Sequence, residues 1–299
     1  MARAADFAIV FLGLQPWHGG PGGAAAGKSE GEETDRDDIA LPGQQLALLE
    51  AVVATGRPTV VVMIHGGCVG LEGVRSLAPA ILEAYYPGEL GGDAIAAVLF
   101  GDTSPSGRLP YTAYQTSFAE TRSLIDYNMT SASGITHLYF TGEPVFPFMT
   151  GFSYSSFAFA LDSAAEVEVD AGAWARGSSP PAFRLRVTNV GAVRASVSAL
   201  GFLEKRAAGE PLQQLFAFER VHELAPGASA IVELLVPLDV AVHTAADGEQ
   251  ALEPGTLALR LGDTRESGNF VKAVLRVTGA RAVTFSLRDA LRLRAPQGI

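Results

Sequence analysis

The sequence predicts two unlike halves, an open α/β sheet followed by an antiparallel β-sandwich. Three observations carry this. The 299 residues suggest two domains at roughly 150 residues each. Through the first hundred or so residues, apolar runs alternate with segments of helical period, as in α/β folds. From about residue 165, short alternating segments follow one another with turn residues between them.

The elements of the first half can be taken in order. Residues 6–14 read as a buried strand, and a loop at 15–40, rich in Gly, Ala and acid, follows it. LPGQQLALLEAVVATG, starting at Leu41, has Pro42 at an early helical position, apolar residues at helical spacing and Gly56 as a stop. PTVVVMIHGG is a continuous apolar run ending in a glycine turn, the pattern of a fully buried strand. PAILEAYY, from Pro79, is a further short strand, and GGDAIAAVLFG, from Gly91, is a helix. Strand, helix, strand, strand, helix describes an open α/β sheet.

In the second half the segments FRLRVTNVG, VSALGFLEKR, LFAFERVHEL, SAIVELLVPL, GTLALRLGD and VKAVLRV are predicted strands. Asn-Val-Gly, Ala-Pro-Gly and Glu-Pro-Gly supply turns between them. Arg184 and Arg186 alternate with apolar neighbours, so one face of that strand is wet.

Composition narrows the function classes. Hydrophobic residues at 48% and charged residues at 18% permit a real core. A net charge of −10 argues against nucleic acid or an anionic membrane as partner. No apolar run approaches the ~20 residues that cross a bilayer. The single cysteine, Cys68, excludes a disulfide within the chain and reads as a small buried residue. Asp6 precedes the first apolar stretch and no cleavage-like end follows, so no signal peptide is read there. No metal site and no cofactor are expected.

One motif is rejected. Gly22–Ser29 fits G-x-x-x-x-G-K-[ST], with Lys28 placed for terminal phosphates. A phosphate loop follows its strand directly and opens a helix. Here Gly22 is well separated from the strand, and Ser29 is followed by Glu30, Glu32, Glu33, Asp35, Asp37 and Asp38, which repel a triphosphate.

Those six acids allow a different chemistry. Retaining glycoside cleavage needs two carboxyl groups about 5–5.5 Å apart, one attacking the sugar and one protonating the leaving oxygen. Neighbouring negative charge helps the second to keep its proton near neutral pH. A loop acid crowded by other acids suits that second role and cannot do the reaction alone. A solvated, charge-rich turn is the plainer reading of the same residues. Asp35 and Arg36 form a pair in which the acid orients the guanidinium and the loop is pinned to the domain body; the plainer reading is an exposed ion pair.

Read together, several stretches resemble family 3 glycoside hydrolases of the β-xylosidase/β-glucosidase type. They are AADFAIVFLGL, SEGEETDRDDIALPGQQ, the run from Tyr86-Pro87-Gly88 through Gly91-Gly92 to Gly107-Arg108-Leu109-Pro110, DYNM, and GITHLYFTGEPVFPFMTGFSYSSFAF. VTNVG, FERVHELAPGAS and PGTLALRLG look like the fibronectin-III-like domain that ends many members. The resemblance implies a partial α/β sandwich domain over 1–115, an interdomain linker over 116–164, an immunoglobulin/fibronectin-III-like sandwich over 165–279 and a tail over 280–299. It also implies a retaining, exo-acting enzyme for β-linked oligosaccharides or aryl glycosides. The nucleophile is then an Asp in an N-terminal barrel domain, and the acid/base is a Glu on a loop of the α/β domain.

In the xylosidase-like branch that loop runs Glu-x-Glu-Gly-x-Asp-Arg. By this match Glu30 is the first candidate for acid/base and Glu32 the second, with Asp35 and Arg36 positioning the loop. Glu33 stands where the branch has Gly. Two further departures are Phe148-Met149-Thr150-Gly151 in place of Phe-Gly-Tyr-Gly, and Leu138 in place of an Arg. His65 reads as the end of a core strand, and His18 beside Trp17 as a loop anchor. Asn128-Met129-Thr130 is a glycosylation sequon that matters only in a secreted protein. The resemblance places full-length members outside the cell or in the secretory route.

The barrel and its nucleophile have no counterpart in these residues. The expectation is therefore a fragment of a glycosidase, catalytically incomplete alone and in need of the missing N-terminal barrel. The alternative is a non-catalytic carbohydrate-binding or scaffold module.

Overall fold

The computed structural model describes residues 2–15, 36, 38–123, 125–204, 209–245, 247–264 and 267–286. They fall into two units, Met1–Thr103 with Gly107–Gly151, and Ser104–Ser106 with Phe152–Ile299. The stretch 116–164 is thus divided between them.

The first unit is built on three parallel strands in the order β1 (Ala8–Gly13), β2 (Thr59–Ile64) and β3 (Ala80–Glu83). The central strand explains its own sequence. Val61, Val62 and Met63 are consecutive and all fully buried, so both faces of β2 are covered. β1 lies at one side of the sheet. It turns Val10 and Leu12 into the core while Phe11 remains 57% exposed.

Parallel strands need crossovers. The first includes helix α1 (Gln45–Val53), which buries Leu49, and the second is helix α2 (Glu72–Leu77). Sequence analysis placed no helix between β2 and β3, because six residues are too few to display a period. It also started the α1 helix at Leu41. The helix begins at Gln45 instead, since Gly43 takes φ +63 and interrupts the helical path after Pro42. Helix α3 (Gly91–Phe100) ends on Gly101 in the left-handed conformation, as its sequence indicates.

Residues 107–151 pack on this unit through specific ties. The Glu72 carboxylate accepts from Thr116 N at 2.9 Å, and Arg75 donates to the Val145 carbonyl at 2.5 Å with its guanidinium over the Phe146 ring. The Tyr114 ring stacks on Phe118 at 3.9 Å and meets Phe140 edge-on, and its hydroxyl accepts from Thr136 N at the start of the one-turn helix α4 (Thr136–Tyr139). The departure at Phe148-Met149 has a visible consequence. Met149 adopts φ +66, where the resembled motif carries glycine, and Phe148 stacks on His137 at 3.9 Å.

The second unit contains strands β4 (Phe157–Leu161), β5 (Glu166–Asp170), β6 (Ala182–Asn189), β7 (Ala195–Glu204), β8 (Gln213–Leu224), β9 (Ser229–Leu235), β10 (His243–Thr244), β11 (Gln250–Leu252), β12 (Gly255–Gly262), β13 (Phe270–Thr278) and β14 (Ala282–Phe285), with short helices α5 (Ala171–Ala175) and α6 (Leu238–Ala241). A five-stranded sheet, β5-β13-β12-β7-β8, and a three-stranded sheet, β4-β6-β9, share one core that includes Phe183, Leu185, Val187, Leu259 and Leu275. β10-β11-β14 form a small third sheet. All six predicted strands are present. Arg184 and Arg186 are on the wet face, both donating to the Asp162 carboxylate.

Two buried polar residues order this core. Asn189 saturates its side chain: Nδ2 donates to the Val193 and Leu224 carbonyls, and Oδ1 accepts from Ser155 and Gly191 N. Arg260 lies between the Phe202 and Phe270 rings and donates to Gln213.

The end of β1 is fixed by a side chain. Gly13 N donates to Gln45 Oε1 at 2.7 Å, and Gln45 Nε2 donates to Gly13 O at 2.9 Å. Gly13 itself has φ +149, and a Cβ there would lie 1.8 Å from the Ile64 carbonyl oxygen. Gln45→Leu should therefore destabilise the first unit by about 1–3 kcal/mol, the usual cost of leaving part-buried backbone groups unpaired. A urea titration followed by tryptophan-independent far-ultraviolet dichroism would check this, with an unchanged midpoint contradicting it.

Candidate active site

Every strand of the parallel sheet runs the same way, so the residues that follow β1, β2 and β3 emerge at one edge. In open α/β sheets that edge is where ligands bind. After β1 comes Leu14, whose N donates to the Ile64 carbonyl at 2.8 Å, and then the acid-rich segment. After β2 come His65, Gly66, Gly67 and Cys68. After β3 come Ala84 and Tyr85.

Of the four site residues predicted, Glu30, Glu32 and Asp35 lie outside the described residues, as do Trp17, His18 and the rejected Gly22–Ser29 motif. Arg36 is described. Its Nη2 donates to the carbonyl of Cys68, at the carboxyl edge of β2. The Asp38 carboxylate then accepts from Ala40 N at 2.9 Å, turning the chain towards α1. The described residues on either side of Glu30–Asp35 are thus held at the ends of two strands, Leu14 at β1 and Arg36 at β2.

His65 is not simply a core strand end. Its ring is buried and both nitrogens are engaged. Nδ1 is 2.7 Å from the Gly67 carbonyl, which only accepts, so Nδ1 carries a proton. Nε2 is 2.7 Å from Glu83 Oε2. A carboxylate cannot donate to a bare nitrogen, so one further proton is held between Nε2 and Oε2. The pair is either imidazolium with carboxylate or imidazole with carboxylic acid.

Tyr85 packs against His65 with ring centroids 5.7 Å apart, and Tyr111 meets Tyr85 edge-on at 6.5 Å. Tyr85 sits at φ +52, a strained conformation for a bulky residue. Burial pushes its hydroxyl pKa up to about 12, with the Glu83 charge adding to the effect. Tyr111 is pushed up further for the same two reasons, followed by Cys68 and Tyr85. Burial also raises the thiol of the half-buried Cys68. No group of His, Cys, Asp and Glu suited to a metal ion occurs among the described residues.

The Glu83–His65–Tyr85–Tyr111 group was not found by sequence analysis. Its members are spread over residues 65–111 and match no local motif. The only signal was a Glu in an otherwise apolar strand, Ala-Ile-Leu-Glu. Glu83 falls opposite Met63, one strand over, and only that register brings it to His65.

The raised tyrosines have a consequence in base. Their folded pKa values exceed the unfolded value near 10, so between about pH 10 and 12 the unfolded chain binds fewer protons and stability falls as pH rises. Below pH 10 this contribution is fully present. In a base titration, the tyrosinate absorbance of Tyr85 and Tyr111 should appear together with loss of folded dichroism. Tyr85→Phe combined with Tyr111→Phe should move that loss to higher pH.

Residues 1–154 match the glycosyl hydrolase family 3 C-terminal domain, and residues 201–265 match the fibronectin type III-like domain. A probable exo-1,4-β-xylosidase of Aspergillus terreus is 31% identical over 94% of the chain. The chain spans 36% of that relative's length. Among solved structures, a family 3 exo-β-xylosidase bound to a xylobiose aziridine probe superposes with a TM-score of 0.80, at 27% identity, covering 95% of this chain and 38% of the other. A β-glucosidase of Erythrobacter marinus gives 0.65 at 29% identity, over 93% of this chain and 35% of its own. The α/β edge with its Arg36 tie, the fibronectin-III-like sandwich and these matches agree: the chain belongs to glycosyl hydrolase family 3, of which it carries the C-terminal α/β and fibronectin type III-like domains.

Proposed function

We propose that this chain is the C-terminal portion of a retaining, exo-acting β-glycosidase, β-xylosidase-like in its substrate, that hydrolyses O-glycosyl bonds in carbohydrate breakdown. The observation that carries the reading is the Arg36 tie. It holds the end of the acid-rich segment at the carboxyl edge of β2, where an acid/base carboxyl has to be presented. The xylosidase likeness supports the substrate class: xylosides or aryl xylosides before glucosides.

In this reading Glu30 protonates the leaving glycosidic oxygen and then takes a proton from water, with Glu32 the next candidate. Asp35 and Arg36 hold the segment in place. The nucleophile comes from an N-terminal barrel domain, which supplies most of the sugar-reading pocket as well. The reaction therefore needs both parts. One carboxyl group without the other contributes protonation but no attack on the anomeric carbon.

Two experiments test this. The 299-residue chain alone should release nitrophenol from nitrophenyl β-xyloside no faster than buffer. Fused behind the N-terminal part of the Aspergillus terreus relative that this chain does not match, it should turn the substrate over. In that fusion Glu30→Gln should lower kcat by about 10²–10⁴-fold, the range for losing a general acid/base. The loss should be larger on alkyl than on nitrophenyl xylosides, because nitrophenolate leaves without help. Full activity after Glu30→Gln, with loss after Glu32→Gln, would transfer the role to Glu32; activity surviving both would end the proposal.

Arg36→Ala should lower kcat in the fusion by about tenfold or more while the fold persists, since misplacing a catalytic group by an ångström is that costly. Unaltered kcat, with a lowered melting temperature alone, would mark Arg36 as structural only.

A further inference from the structure

The turn that holds Arg36 is itself held, and by residues that the acid/base reading does not use. It grips the chain after Asp35 at two points. Cys68 O accepts from Arg36 Nη2, and Gly70 N donates to the Ile39 carbonyl at 2.7 Å. Ahead of these contacts lie Gly66 and Gly67, which have no side chains to aim the turn. The direction of the Cys68 carbonyl therefore has to be set by a neighbour.

His65 is that neighbour. The Nδ1–H of its fully buried ring donates to the Gly67 carbonyl at 2.7 Å and folds the turn against the end of β2. This bond needs the proton on Nδ1. In a neutral imidazole, the partner of one nitrogen decides which of the two is protonated. Here Glu83 Oε2 lies 2.7 Å from Nε2. As a carboxylate it accepts from the Nε2–H of an imidazolium; as a carboxylic acid it donates to Nε2 of a neutral ring. Nδ1 keeps its proton in both forms. Glu83 in turn is placed by the sheet. It pairs with Met63, which shares a strand face with His65 two residues later, and Ala84 N donates to Met63 O at 3.0 Å, so the pairing continues past it. The Tyr85 ring closes the seat of the imidazole.

We propose that Glu83 is a positioning residue: acting through His65, it fixes the Gly67–Cys68 turn and with it the carbonyl that holds Arg36. Glu83 touches no reacting group in this role. Its bearing on catalysis rests on the glycosidase reading, in which Arg36 holds the acid/base segment. Its bearing on the turn stands apart from that reading.

Two substitutions separate the bond from the charge. Glu83→Met removes both. Glu83→Gln removes the charge and keeps a bond, because its amide donates to Nε2 and leaves the proton on Nδ1. The full 299-residue chain carries its own probe, since Cys68 is its single cysteine and is half-buried. Labelling of Cys68 by a thiol reagent reports opening of the turn. Glu83→Met should speed labelling about tenfold or more, the scale of a lost hydrogen bond to a charged group. Glu83→Gln should recover most of that. Burial raises the thiol pKa first and the Glu83 charge adds to it; both substitutions remove that charge alike, so the difference between them reads the bond. In an Arg36→Ala background the effect of Glu83→Met should shrink about twofold or more, the non-additivity of coupled residues. Should Glu83→Met fail to fold, His65→Phe is read in its place, since it removes both bonds and keeps a ring against Tyr85.

Equal labelling of Glu83→Met and Glu83→Gln overturns the proposal, as does an effect of Glu83→Met that Arg36→Ala leaves unchanged, or labelling of His65→Phe as slow as the parent's. In the fusion, Glu83→Met should lower kcat about tenfold or more on alkyl xylosides and less on nitrophenyl xylosides, with KM little changed and with recovery in Glu83→Gln. A purely structural Glu83 would depress both substrates alike or lower the melting temperature alone, and either pattern overturns its part in catalysis. The two readings fail separately. An active fusion with both Glu83 variants labelled alike ends the positioning role alone. An inactive fusion with labelling as expected ends the glycosidase reading and leaves the held turn standing.

Discussion

Parallel pairing of β1, β2 and β3 is the constraint from which the chemistry of the first unit follows. Parallel strands are joined by crossovers, so every strand enters the sheet from one side and leaves at the other. Three chain segments far apart in sequence are therefore delivered to a single edge: Leu14 after β1, the His65–Cys68 turn with Arg36 bound to it, and Glu83 with Tyr85. The register Met63↔Glu83 sets the alignment closely enough for a 2.7 Å contact between His65 and Glu83. A shift of one residue would turn Glu83 to the other face.

Around that edge, backbone and side chains are fastened by polar contacts rather than by apolar packing. Gln45 clamps Gly13, Arg36 holds the Cys68 carbonyl, and Gly67 orients His65. Each fixes direction more than it adds stability, since an ordinary hydrogen bond contributes only about 1 kcal/mol net. Stability comes instead from the two-sided burial of β2 and from α1 and α2 packed beside it. The division of labour leaves a rigid sheet presenting groups whose own conformations are costly, as with Tyr85 at φ +52.

The sandwich follows different rules. Its sheets are stabilised by alternation, with Phe183, Leu185 and Val187 inward and Arg184 and Arg186 outward on one strand. Asn189, fully buried, is fully served: it makes four hydrogen bonds, two within its own turn and two to Ser155 and Leu224. Arg260 is covered on both sides by aromatic rings.

The sequence by itself determined the class of each half, the three strands of the first, six strands of the second, and membership of the family; β4, β5, β10, β11 and β14 were not among its strands. These are carried by local signals: an apolar run long enough to be central, a period of two, a glycine that can take positive φ, and motifs such as Tyr86-Pro87-Gly88 that are contiguous in the chain. It also singled out Arg36 through the adjacent Asp-Arg pair. Short or interrupted features were less legible. Helix α2 is too brief to show a period, and the start of α1 depended on how Gly43 turns. Only the tertiary structure decided that Arg36 ends on the Cys68 carbonyl, and that His65, Glu83, Tyr85 and Tyr111 form one group. Those residues are brought together by strand register and crossover, which act across tens of residues and leave no mark on the local pattern of any one of them.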